Sequence, residues 1–176
     1  MAEAFEDMLT GGHSNSLGRT VEVVEMVLAN PDRFDELFNC YKSDDAVVRL
    51  RTSNAMKRLE AERRDLLLPY IDQFIDEVGS LDQASAQWTL AQLLERLTEE
   101  LSQQQRAAAL KILKRNLERY EDWIVLNSTM ETLAAWATSD RSLKEWLKPH
   151  LERLTLDKRK SVASRAAKKL KFLGYE

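Results

Sequence analysis

The chain has 176 residues, 44% apolar and 31% charged, with five Gly, three Pro and one Cys. This balance predicts one folded domain with a substantial core and excludes a disordered chain, a turn-dense all-β fold and a disulfide framework. No apolar run approaches the roughly 18 residues of a membrane span, and a net charge of −3 argues against a general nucleic-acid binder.

Residues 1–16, "MAEAFEDMLTGGHSNS", form an acidic lead with neither a basic start nor an apolar stretch, so they do not read as a secretory signal. With the lone Cys40 unable to form an internal disulfide, a cytoplasmic protein is expected. Residues 17–176 read as the folded domain. "PDRFDELFNCY" places Pro31 behind Asn30, well suited to a first helical turn. From Val48, residues Thr52, Ala55 and Leu59 follow at four, seven and eleven, one face of a helix. "LLLPYIDQFIDEV", "SQQQRAAALKILKRNLERY" and "SLKEWLKPHLERLTL" then alternate with further helices of the Val48 kind.

Those further helices are copies. The stretch from Val48 aligns with Ala86 to Leu97, Val125 to Trp136 and Val162 to Leu173, and the closing residues Leu59, Leu97, Trp136 and Leu173 recur at intervals of 38, 39 and 37. The ninth position is apolar each time (Met56, Leu94, Leu133, Leu170), while the fifth and sixth are mostly small. Capping residues precede each copy: Asp44 or Asp45, Ser85 or Asp82, Asp122 or Glu121, Asp157 or Ser161. In the alternate set, Pro69 and Pro149 hold matching places, which predicts kinked helices there and a straighter one between.

Two helices per roughly 40 residues, a Pro in the first and V-R-x-x-small-small-x-x-apolar in the second resemble HEAT repeats. The resemblance covers residues 31–174, in repeats of roughly 31–60, 65–98, 101–137 and 141–174, with Thr20 to Asn30 as an added capping helix. It implies an all-α solenoid of four helical hairpins. The Arg of the pattern is present as Arg49, but Gln87, Leu126 and Ala163 hold its later places, which argues against a stacked ladder of Asp and Arg.

The resemblance also implies protein binding along a concave surface lined by the second helices. With Val48 facing the core, Leu50 and Lys57 point away from it, and Trp88 holds the Leu50 column one repeat later. Leu50, Trp88 and Trp123 therefore form a candidate apolar strip flanked by Arg49, Arg51 and Lys57; the alternative is that Leu50 and Trp88 are buried between helices, as stacked repeats require. Residues 1–45 carry ten acids against three bases, whereas residues 158–171 carry seven bases and no acid. In that last stretch Lys158, Arg159, Lys160, Arg165, Lys168 and Lys169 form a candidate basic surface for phosphates or an acidic protein. The alternative is a solvated end cap with Val162, Ala166, Leu170 and Leu173 turned inward.

Enzymatic readings find less support. His13 and His150 have no neighbouring His or Cys for a zinc site, and Gly11-Gly12 lacks the Lys and strand of a phosphate loop. Glu121 and Asp122 read as capping rather than catalytic acids, and Asn127-Ser128-Thr129 matches a glycosylation acceptor by chance. Two enzyme groups have HEAT-like folds. Alkylpurine DNA glycosylases use Trp, Asp and Arg on a basic concave face, where this chain has Gln87, Gln92, Asn127 and Ser128; nothing local speaks for the tetrapyrrole site of bilin lyases. The expectation is thus a monomeric, non-catalytic interaction module for a protein or peptide, without cofactor, metal or membrane contact. The alternative is a nucleic-acid-binding or glycosylase-like HEAT protein.

Overall fold

A computed structural model describes residues 1–176 as ten α-helices joined by short 3₁₀ turns and loops, with no strand. The helices are α1 (Phe5–Leu9), α2 (Thr20–Ala29), α3 (Phe34–Asn39), α4 (Ala46–Arg63), α5 (Ile71–Asp76), α6 (Ala84–Arg96), α7 (Gln103–Arg119), α8 (Trp123–Ala137), α9 (Arg141–Leu154) and α10 (Lys160–Phe172). No helix is long and apolar enough to cross a membrane. The chain divides into two compact units, Met1–Thr89 and Leu90–Glu176, with the boundary inside α6.

In the N-terminal unit α4 is the central element, packed against α1 and α2. Its Val48, Thr52, Ala55, Met56 and Leu59 are all fully buried, as the 3.6-residue period requires. Asp45 caps the helix by accepting the Val47 N–H at 2.8 Å. An aromatic cluster fills the other side: Phe38 lies edge-on to Phe74 at 5.0 Å and to Tyr41 at 5.6 Å. The Tyr41 hydroxyl shares a 3.0 Å hydrogen bond with Ser53 Oγ in the interior.

Two expectations about this unit are corrected. The lead folds into α1 and is part of the core, with Phe5, Met8 and Leu9 at 0%, 2% and 0% exposure. Pro69 sits in the 3₁₀ turn Leu68–Tyr70 that leads into α5, so it starts a helix rather than kinking one.

In the C-terminal unit α8 packs against α7, α9 and α10. Every residue of α8 from Val125 to Ala137 except Glu131 and Ala135 is buried. Each boundary has a local cause. Ser102 and Gln105 form a reciprocal capping box at the start of α7. Asp122 accepts the Ile124 and Val125 N–H groups at the start of α8, and Asp140 accepts that of Leu143 at the start of α9. Pro149 does lie inside α9. The capping residues expected for α6 and α10 are displaced: Ser85 and Ser161 fall inside their helices, and Asp157 accepts the Arg159 N–H at 2.9 Å before α10 begins. After α10, Gly174 takes φ +84°, and the Tyr175 N–H reaches the Leu170 carbonyl at 2.9 Å, a six-to-one closure that needs a left-handed residue.

Candidate functional site

The strip expected in the N-terminal unit is taken up largely by structural bonds. Arg49 donates to the Ser43 carbonyl and to Gln83 Oε1, both at 2.6 Å. Arg51 is 2% exposed, which corrects its placement on an accessible surface. Its guanidinium donates to the backbone carbonyls of Leu9 (2.7 Å), Gly11 (2.6 Å), Ser16 (3.1 Å) and His13 (3.2 Å). It therefore organises the loop between α1 and α2. Leu50, Lys57 and Trp88 are half-buried, so the choice between a buried pair and an open groove resolves to neither extreme.

Trp123, at 49% exposure, is different. It opens a side of α8 along which Ile124, Asn127, Ser128 and Glu131 follow at helical spacing. With Gln92 and Glu95 of α6 and Arg165 of α10, these residues line a cleft of about 260 Å³ in the C-terminal unit. Two cross-links set its walls: Gln92 Nε2 donates to Ser128 Oγ at 3.2 Å, and Thr132 Oγ1 donates to the Ala91 carbonyl at 2.8 Å.

The charges of the cleft are mixed. Glu131 takes both Arg165 and Lys169, bases one turn apart on α10. Partial burial raises the Glu131 carboxyl, but the hydrogen bonds from Lys169 and Arg165 outweigh it and hold the group below its ordinary value. Glu95 lies at the exposed rim and makes no ion pair. Asn127 is 7% exposed, and its Oδ1 has no hydrogen-bond partner. A buried acceptor without a donor costs about 1–3 kcal/mol, so this oxygen needs an explanation.

The basic stretch divides into two sets. Arg165 and Lys169 turn to Glu131, while Arg159 bonds Asp157 and the Glu121 carbonyl. Lys158, Lys160, Lys168 and Lys171 are exposed and unpaired. Val162, Ala166 and Leu173 are buried and Leu170 is half-buried.

No nucleophile with an activating base stands out. Burial, reinforced by Glu6 and Glu36, pushes the Cys40 thiol up to about 12. His150 stacks on Trp146 at 4.1 Å between centroids, and burial lowers its pKa. No three His, Cys, Asp or Glu side chains converge as a metal-binding group. Gln92, Asn127 and Ser128 were named from the sequence as polar inner-face residues, whereas Glu95 and Glu131 were not singled out; the available signal was an acid at 131 with bases at 165 and 169, 34 and 38 residues later. No protein-family model matches the chain, and no curated protein is significantly similar to it.

Proposed function

We propose that the chain is a non-catalytic, HEAT-like helical-repeat module of the cytoplasm that binds another protein or peptide on the inner-helix face of its C-terminal unit. The helix pairs α7/α8 and α9/α10, closing on Trp136 and Leu173 at the repeat interval, support the repeat reading. The observation that carries the functional reading is the cleft itself. An exposed Trp123 lines it together with polar side chains in a setting of mixed charge. Exposed Trp surrounded by polar groups is typical of binding anchors, whereas phosphate recognition calls for unpaired bases.

The test is affinity capture from the native host with the wild-type chain, Trp123→Ala and the double variant Lys168→Ala/Lys171→Ala. The reading predicts a retained protein that Trp123→Ala loses and the lysine variant keeps. Capture indifferent to Trp123 would refute it. A nucleic-acid reading rests on the four unpaired lysines at and around α10. It predicts tight duplex binding at physiological salt, with a log–log salt slope that falls by about one per phosphate contact removed.

A further inference from the structure

We infer that the chain self-associates, the acidic face around α2 of one copy seating on the basic face of α10 of another. The contact uses neither Trp123 nor the other residues that line its cleft.

Each face is what remains after the local charges have paired. Around α2, Arg19 bonds Glu3 and Glu22, and Arg33 bonds Glu36. Glu25 and Asp32 are exposed and make no ion pair, and the same holds for Glu6 and Asp7 on α1, which packs against α2. On α10 the surplus is of the other sign, since Glu131 takes Arg165 and Lys169, and Asp157 takes Arg159. Lys160, Lys168 and Lys171 are left exposed and unpaired along the side of α10 opposite buried Val162, Ala166 and Leu173. Surplus acid and surplus base thus lie on different units of one chain.

Exposed apolar side chains fall on the same two surfaces. Val21 stands four residues before Glu25 on the side of α2 away from buried Val23 and Val27, and exposed Leu17 lies just ahead of that helix. Leu156 and Phe172 are exposed just before α10 and at its last residue. Exposed ion pairs are individually weak and steer an encounter more than they hold it. The apolar residues within each charged face supply the burial that holds it. A polyanion on α10 would cover the lysines and leave the acidic face, with Leu17 and Val21, bare. A second copy covers both with one contact, because unlike faces attract while like faces repel.

The test is sedimentation equilibrium of the full chain, loaded from about 10 μM to about 1 mM, the range of weak association. The average mass should rise with concentration in about 50 mM salt and return toward that of one chain in about 500 mM, where screening cuts the reach of charge to a few ångströms. Two charge-reversal variants identify the faces. Glu25→Lys/Asp32→Lys and Lys168→Glu/Lys171→Glu should each stay monomeric, because both faces of the molecule then carry one sign. Mixed in equal amounts they should associate again, since the acidic α2 face of the second meets the basic α10 face of the first. All four positions are exposed, and unchanged thermal unfolding confirms that each variant folds. Trp123→Ala should leave the mass unchanged, which keeps this contact distinct from the cleft. A wild-type chain of single-chain mass throughout in low salt would overturn the inference. So would association that survives either reversal, or variants that remain monomeric when mixed.

Discussion

The Arg51 guanidinium lies directly against Gly18. A Cβ built on Gly18 would stand 2.9 Å from both Cζ and Nη1 of Arg51, and Gly18 itself has φ +51°. Only a residue without a side chain lets the loop close over this cation, whose four carbonyl partners lie in and beside the same loop. Gly18→Ala should therefore destabilise the protein by more than about 1 kcal/mol. Arg51→Met should cost about 2–4 kcal/mol. Arg51→Lys should not restore the loss, because three donors on a flexible stem cannot satisfy four fixed carbonyls. Urea unfolding of the three variants checks this.

The tryptophans separate folding from binding. Trp136 is 2% exposed, donates its indole N–H to Thr98 Oγ1 at 2.8 Å and carries the Arg106 guanidinium over its ring at 4.8 Å. Trp136→Ala should cost about 3–5 kcal/mol. Trp123→Ala, at an exposed position, should cost under about 0.5 kcal/mol. Thermal unfolding of the pair is the measurement, and a similar loss in both would show that Trp123 supports the fold.

Thr129 is fully buried with its hydroxyl unpartnered. Thr129→Val keeps the shape and removes the unsatisfied group, so it should stabilise the protein by about 1 kcal/mol. A rise in the urea midpoint without change of slope is the expected signature.

Acid should weaken the C-terminal unit through Glu131. Its folded pKa lies below the ordinary value of 4.5. The stabilisation is therefore complete above 4.5 and is lost as pH falls through the lower folded value. Wild type should exceed Glu131→Gln in stability near neutral pH, and the gap should narrow as pH falls below 4.5. Urea midpoints measured across that range decide it; a gap constant with pH would show that Glu131 acts by packing alone.

The all-α class and the buried face of α4 were readable because burial follows the helical period, as Val48, Ala55, Met56 and Leu59 illustrate. Asp45 and Asp122 were readable as caps because a cap acts within a few residues. Arg51 was misplaced because its partners lie up to 42 residues away and belong to an irregular loop, where no periodicity betrays the backbone. The burial of α1 was missed although Phe5, Met8 and Leu9 carry the spacing of one helix face; the acids between them masked it. Of the cleft, Trp123, Arg165, Gln92, Asn127 and Ser128 were legible as separate features, but not their convergence with Glu131, which packing rather than spacing supplies.

The central claim is that a partner seats on the Trp123 cleft. Photo-crosslinking tests it most directly, with a benzoyl-phenylalanine placed at Ile124 in one protein and at Lys168 in another, each exposed to the partner captured from the host. The account predicts a crosslinked partner from position 124, lost when Trp123→Ala is added, and none from position 168. Crosslinking from position 168 alone would contradict it and would place the contact on the basic helix.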